Sequence, residues 1–237
     1  MHQEQLTQTV GSLVAEHPQG LRVLDRHGID YCCGGKRPFD AVCKEKGLSP
    51  ESVLEEVLSA KPGREDGTDW GKAGLTKLCD HIEATHHVFV KEELPRLAVL
   101  AEKVARVHGE RHPELPRVGE LFSGLKAELE AHLMKEEQIL FPLIRQLDQA
   151  TTKFEFHCGS VANPIRVMEQ EHDSAGDALH EMRRLTKEFT TPPDVCTSYR
   201  ALMEGLDALE KDLHVHIHKE NNILFPRAIE RESVLAR

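Results

Sequence analysis

Apolar residues recur at helical spacing in four long stretches of the chain, all after residue 70. Each stretch repeats them at i, i+3, i+4 and i+7, the pattern of a buried helix face, and none alternates with the two-residue period of a strand. The pattern predicts helices over about residues 71–103 and 116–147, a third after Asn163 and a fourth after the loop TTPPD. Four such helices predict an all-α fold, an antiparallel four-helix bundle.

Two prolines bear on the bounds of these helices. Pro95 is expected to kink the first helix or to end its first part, because proline lacks a backbone donor and clashes with the preceding turn. Asn163 and Pro164 are expected to be the N-cap and the first residue of the third helix, positions that these residue types favour.

The chain before residue 60 has a different pattern. Its helical stretches are short and are interrupted by glycines and a proline. Residues 61–69 carry Pro, Gly and mixed charge without apolar periodicity, as linkers do. We therefore predict a small helical, Cys-containing domain over residues 1–60, a linker over 61–69 and the bundle over 70–237.

Ionisable residues occupy apolar positions on the predicted inner faces of the bundle. His172 lies on the stripe of the third helix, and His216 and Glu220 lie on that of the fourth. An isolated buried carboxylate is strongly unfavourable, so these groups need a common explanation, which a cation at the bundle centre supplies. The stripe of the second helix shows the same mixture: Phe122, Leu125, Leu129, His132, Glu136, Ile139 and Leu143.

The second half of the bundle repeats the first. HLMKEEQILFP begins at His132 and HIHKENNILFP begins at His216, with seven of eleven positions identical. The separation of His87 and His172 along the chain is one residue longer than the separation of His132 and His216. Each half therefore carries one His and then an H-x-x-x-E. The symmetry of a duplicated hairpin explains the repeated ILFP but not the repeated His and Glu.

The repeated residue types suit a two-metal site. His at i and Glu at i+4 lie on one helix face, one turn apart. Two such pairs and two single His give four imidazoles and two carboxylates, a set that suits two divalent ions bridged by the carboxylates. Mixed imidazole and carboxylate ligands favour iron or manganese over a closed structural zinc site.

Spacing selects among neighbouring candidates. Glu136 is preferred over Glu137 because it lies four residues after His132. His216 is preferred over the histidines two residues before and after it, because only His216 lies four residues before Glu220.

The first helix leaves a choice between two histidines. His86 extends the upstream apolar stripe, whereas His87 joins the downstream stripe and gives the better repeat offset, so we choose His87. Glu128 and Glu171 are interpreted as solvated helix surface, with support of the metal ligands as the alternative. The predicted metal ligands are His87, His132, Glu136, His172, His216 and Glu220.

Composition limits the partners. The formal charge of −10 at pH 7 disfavours nucleic acid and anionic membrane surfaces. No apolar run approaches the roughly 20 residues that span a bilayer. The N-terminal MHQEQLTQTV lacks the basic and apolar regions of a secretion signal, so a cytoplasmic location is expected.

The six cysteines are scattered, and reduced thiols are expected. Cys32 and Cys33 are adjacent, so their Cα atoms are about 3.8 Å apart, below the roughly 4.4 Å at which disulfides begin. Gly34 and Gly35 predict a turn that exposes both thiols. Cys43 lies on a short helix and is a candidate third thiol of this group. The remaining cysteines are interpreted as core or loop residues: Cys79, Cys158 and Cys196.

Four segments together resemble the hemerythrin-like di-iron domain of the iron–sulfur cluster repair proteins, the RIC family of the YtfE and ScdA type. They are the His86–His87 pair, HLMKEEQILFP, EHDSAGD and HIHKENNILFP. DYCCGGKRPFDAVC resembles that family's small Cys-containing domain, so the resemblance covers nearly the whole chain. It implies two non-haem irons on the six ligands named above. The segment 151–160, TTKFEFHCGS, is longer than the family's usual connection, and we interpret it as a surface loop.

The resemblance also implies a function. The family is associated with repair of iron–sulfur clusters damaged by nitric oxide and oxidants, by iron donation or reaction with nitric oxide. Expected partners are damaged iron–sulfur proteins and small ligands such as nitric oxide or oxygen, and the linker permits a homodimer. Cys32 and Cys33 would serve as a redox relay, a transient iron ligand or a client contact. The alternative function is hemerythrin-like binding or sensing of oxygen or nitric oxide.

Overall fold

The computed structural model describes residues 2–61, 68–152 and 159–236, and most of this backbone is helical. No strand occurs in these ranges, where the β-type pairing is an isolated bridge between Thr9 and Pro38. The all-α fold class is therefore confirmed. No helix of the described ranges is both long and apolar enough to cross a bilayer.

The N-terminal residues form short helices with clear start signals. The side-chain oxygens of Thr9 and Ser49 accept the Ser12 and Ser52 N–H groups at 3.2 Å, and so cap the second and fifth helices. The α-helices of this unit are α1 (His2–Thr7), α2 (Val10–Glu16), α3 (Leu21–Arg26), α4 (Phe39–Glu45) and α5 (Pro50–Ser59), with 3₁₀ turns at Pro18–Gly20 and Cys33–Lys36.

The four predicted long helices are present, and three of them are interrupted by a five-residue π-helical turn. The first is α6 (Leu75–Ile82), π-turn Glu83–His87 and α7 (Val88–His108). The second is α8 (Leu115–Lys135), π-turn Glu136–Leu140 and α9 (Phe141–Gln149). The third is the unbroken α10 (Ala162–Leu185). The fourth is α11 (Thr197–Lys219), π-turn Glu220–Leu224 and α12 (Phe225–Leu235).

A polar layer separates two apolar cores inside the bundle. α7 packs against α8 and α11, and α8 packs against α10. Along α10, Met168 belongs to one core and Ala175 to the other, with His172 buried between them. The corresponding residues of the other helices occupy the same level, so the predicted ligands lie in one layer. Apolar packing on both sides fixes the height at which these side chains meet.

Two expectations about helix bounds are wrong. Of the two outcomes expected at Pro95, the end of the helix is wrong, because α7 continues through this residue to His108. The third helix begins at Ala162 with Val161 as N-cap, ahead of the predicted cap. Instead, a carboxylate oxygen of Glu232, on α12, accepts the Val161 N–H at 3.2 Å.

The N-terminal unit packs directly on the bundle. The Asn222 side-chain amide donates to the Tyr31 carbonyl at 3.0 Å, and Lys36 pairs with Glu169 at 2.8 Å. A Cβ on Gly11 would lie 2.0 Å from the Asn222 amide oxygen, and one on Gly35 would lie 2.8 Å from it. Both glycines therefore leave room for the Asn222 side chain, which a larger residue at either position would displace.

Candidate metal centre

The six predicted ligands converge in the polar layer and are shielded from water. None of the six residues is more than 3% exposed, and both carboxylates are fully buried. The six residues come from the four long helices of the bundle. Three of the six residues lie at one end of a π-turn, which changes the direction of a side chain relative to the rest of its helix. His87 ends the first π-turn, Glu136 begins the second and Glu220 begins the third.

The ligand atoms form two overlapping groups of four, each with its atoms within 4.8 Å of one another. Glu136 and Glu220 belong to both groups. The imidazoles divide between the groups: His87 and His216 in the first, His132 and His172 in the second. Two carboxylates shared by two pairs of imidazoles are the arrangement expected for two bridged metal ions.

Several buried polar atoms at this place have no hydrogen-bond partner. They include Nε2 of His87, both carboxylate oxygens of Glu136 and Oε2 of Glu220. The Nε2 atoms of His132 and His172 face each other at 3.1 Å. Unpaired buried polar atoms are costly, and a cation bound between them would satisfy all of these at once. The residues present therefore fit a metal ion.

The charges favour a cation as well. Burial would raise the pKa of Glu220, but the neighbouring imidazoles, His216 first, hold it well below its usual range. Burial and Glu220 would likewise raise the pKa of Glu136, but His132 outweighs them and lowers it. Burial would lower the pKa of His132, but Glu136 raises it to about 9. The two carboxylates stay ionised and draw positive charge into the layer.

Three of the four imidazoles are oriented through Nδ1 by residues that the spacing argument did not select. The partner atoms lie 2.8 Å from His87, 2.9 Å from His132 and 2.9 Å from His172. In the same order, these partners are Glu137, Glu171 and Asn221. Such contacts fix the ring and leave Nε2 for a metal.

The structure also shows the surroundings of the other glutamates and histidines that were considered near the site. Glu171 supports His132, so its interpretation as solvated surface is wrong, whereas Glu128 is partnered by Ser174 at 3.2 Å on the exposed side. His214 and His218, the neighbours rejected by spacing, contact the Tyr31 ring edge-on at 6.1 and 5.7 Å. They pack against the N-terminal unit.

Comparison with known proteins agrees with this geometry. The hemerythrin HHE cation binding domain matches residues 77–228, and ScdA_N, a domain of unknown function (DUF542), matches residues 6–61. The chain is 39% identical over 227 residues to the iron–sulfur cluster repair protein YtfE of Escherichia coli O8 (strain IAI1), covering 95% of this chain and 98% of that protein. The same values hold for the YtfE proteins of Shigella boydii serotype 4 (strain Sb227) and Escherichia coli O157:H7.

The chain belongs to the hemerythrin-like family of iron–sulfur cluster repair proteins. The resemblance on the repeated motifs is thereby confirmed. The matching family model describes a cation binding domain, and the buried His and Glu groups could hold a metal ion.

In this member of the repair family, the adjacent cysteines face the bundle. Cys32 is 4% exposed and Cys33 is half-buried, so the expectation of an exposed pair is wrong. The Asp30 carboxylate accepts the Cys32 and Gly34 N–H groups at 2.9 and 2.8 Å, and this holds the turn. The Cys33 thiol donates to the His172 carbonyl at 3.4 Å.

The sulfur atoms of the pair are 3.8 Å apart and both thiols are free, as predicted. Cys43 and Cys79 are buried in the cores of their units. His157 and Cys158 of the connection between the second and third helices lie outside the described residues.

Cys196 is the exposed thiol among the described cysteines, and it lies at the N-cap of α11, away from the metal layer. Its sulfur is 3.1 Å from Nε2 of His108. The His108 contact, with help from the Tyr199 N–H, lowers the pKa of the Cys196 thiol to about 7.

We expect Cys196 to react with iodoacetamide at pH 7 about tenfold faster than an ordinary exposed thiol, because about half of it is thiolate. Its rate should level off above pH 8, and His108→Ala should lower the rate at pH 7 several-fold. Peptide mapping by mass spectrometry measures the site. His112→Ala is the matched control, since its ring lies 6.3 Å from His108; an equal rate in both variants would contradict the assignment.

Proposed function

We propose that this chain repairs iron–sulfur clusters damaged by nitrosative and oxidative stress, using two non-haem irons in the buried layer. The observation that carries the proposal is the pair of ligand groups that share Glu136 and Glu220. One iron would be held by the group with His87 and His216. The other would be held by the group with His132 and His172.

The donor set suits this role. Imidazole and carboxylate ligands accept iron in more than one oxidation state, and two carboxylates offset part of the charge of two cations. Bound iron would supply a redox-active centre with positions for small ligands such as nitric oxide or oxygen. Similarity to proteins named for iron–sulfur cluster repair over 95% of the chain supports that use of the centre.

The chain's own residues have defined tasks in this proposal. The apolar cores above and below the layer exclude bulk water, and the partners at Nδ1 keep the imidazoles in their metal-facing orientation. Iron that reaches a damaged client is cargo and leaves the layer. Cys33 lies against the carbonyl of His172, and the Cys32 sulfur is 3.8 Å from that of Cys33. From this position the thiols could pass electrons or iron between the centre and a client.

The partners and the domain division are part of the proposal. The clients are damaged iron–sulfur proteins of the cytoplasm, and a homodimer is compatible with the linker, of which residues 62–67 lie outside the described residues. The matched ranges, 6–61 and 77–228, support a division into a small domain over 1–60, a linker over 61–69 and a bundle over 70–237.

The proposal predicts that iron-loaded protein restores a cluster to an apo iron–sulfur protein. The absorbance of the regained cluster and the client's activity are followed under anaerobic conditions with sulfide present. The Glu136→Ala variant, prepared in the same way, should restore much less. If free ferrous iron restores the client while the loaded protein does not, iron donation is ruled out.

A further inference from the structure

The duplication of the bundle extends beyond the metal ligands to the residues behind them. Lys135 and Lys219 each directly precede one of the two ligand carboxylates, so they correspond in the repeat. Glu171 directly precedes His172, and the residue in the corresponding place before His87 is His86. Both halves carry the lysine, but the residue before the single His differs: it is His86 in the first half and Glu171 in the second.

The glutamate of the second half holds a predicted ligand of the first half in place. Glu171 accepts from Nδ1 of His132 at 2.9 Å, and its other oxygen contacts the ammonium of Lys135. The carboxylate therefore ties His132 to a lysine at the edge of the bundle.

The histidine of the first half stacks on a predicted ligand of the second half without bonding to it. The rings of His86 and His216 are parallel within 4°, with centroids 5.3 Å apart. Both nitrogens of His86 are engaged elsewhere, Nδ1 with Asp212 at 2.8 Å and Nε2 with the Lys219 ammonium at 3.1 Å. Nδ1 of His216 is buried and has no hydrogen-bond partner.

The two ligand groups are therefore unequal in the support of their imidazoles. Each group has one His backed by a carboxylate, His87 by Glu137 and His132 by Glu171. The remaining His of the second group, His172, is backed by the amide oxygen of Asn221 at 2.9 Å. The remaining His of the first group, His216, has no hydrogen-bond partner at Nδ1 among the described residues.

We propose that the metal position held by His87 and His216 is the exchangeable one, from which iron is delivered, while the position held by His132 and His172 retains its iron. The inference rests on the proposed function. A partner at Nδ1 fixes the ring and raises its basicity, and losing such a partner typically weakens metal affinity about 10–100-fold. His86 is the residue that creates the difference.

The test is the release of iron from the fully loaded protein to a chromogenic ferrous chelator under anaerobic conditions. We expect two phases of one iron each, with the first about tenfold faster than the second. His86→Gln offers His216 an amide oxygen such as Asn221 offers His172, and it should slow the fast phase alone. Glu171→Ala removes the acceptor of His132 and should speed the slow phase alone.

His214→Gln is the control, because this histidine lies on the same helix as His216 but contacts the N-terminal unit. It should leave both phases unchanged. Circular dichroism and total iron establish that each variant is folded and loaded. One phase for both irons in the parent protein, or a fast phase that His86→Gln leaves alone, would overturn the inference while leaving the two-iron proposal intact. A parent protein that binds fewer than two irons would overturn both.

Discussion

The Glu136→Ala variant is expected to lose both metal ions rather than one. Its carboxylate is fully buried and belongs to both ligand groups, so one substitution removes a ligand from each position. Losing a partner behind a ligand already weakens affinity about 10–100-fold, and losing the ligand itself should exceed that at both positions. Metal content of purified protein, measured by plasma mass spectrometry after dialysis, is the readout.

Two further variants serve as comparisons for Glu136→Ala. His87→Ala removes a ligand from the first group only, and the second keeps all four of its members, so about one ion per chain should remain. Glu128→Gln changes a carboxylate that lies one turn before His132 but contacts Ser174 on the exposed side, and it should keep both ions. A Glu136→Ala protein that retains one ion would show that this carboxylate does not bridge.

The periodic pattern predicted which His and Glu residues lie together in the buried layer, because burial and helix geometry leave few alternatives. His132 and Glu136 are one turn apart on an apolar stripe, and the repeat places His216 and Glu220 in the same relation. The structure brings both pairs into one layer with His87 and His172. The choice of His87 over its neighbour, which the stripes left ambiguous, agrees with its place in the first ligand group.

The same ambiguity was a sign of the π-turn that the sequence argument missed. A π-turn adds one residue to the helix, so the apolar stripe shifts by one position as it passes through. His86 fits the stripe before the turn and His87 fits the stripe after it. In the second helix the same shift leaves Ile139 54% exposed, against expectation, and buries Leu140 in its place. An ideal helical period cannot represent this insertion.

The residues behind the ligands could not be found by spacing. Glu137, Glu171 and Asn221 reach imidazoles on neighbouring helices, and the pattern within one helix carries no information about which flank faces which neighbour. The repeat held a signal, since Asn221 replaces Glu137 in the second copy. Its meaning depends on pairing between helices, which only the packed bundle supplies.

The burial of the turn at Cys32 and Cys33 likewise depends on contacts that its own sequence does not show. Two glycines after Cys33 suggested an open loop, but Gly35 is needed because the Asn222 amide of the bundle lies close to it. The glycine thus permits contact with the bundle, and the Cys33 thiol of the same turn donates to the His172 carbonyl.

Removing both metal ions is expected to lower the melting temperature of the protein by about 15–30 °C, as two relations indicate. Ions that bind only the folded state stabilise it by mass action, by about 4 kcal/mol per site at a thousand times the dissociation constant. For a chain of this size, each kcal/mol shifts the melting temperature by about 2–4 °C. Differential scanning calorimetry of the iron-loaded protein, with and without an excess of chelator, measures the shift.

The physical reason lies in the composition of the layer. Glu136 and Glu220 repel each other while fully buried, and the unpaired ring and carboxylate atoms around them have no water to bond to. A cation relieves both penalties in the folded state only. Glu136→Ala is the control: chelator should change its melting temperature little, since it binds little metal. A parent protein that melts at one temperature with and without chelator would mean that the four helices do not need a cation to hold their buried charges together.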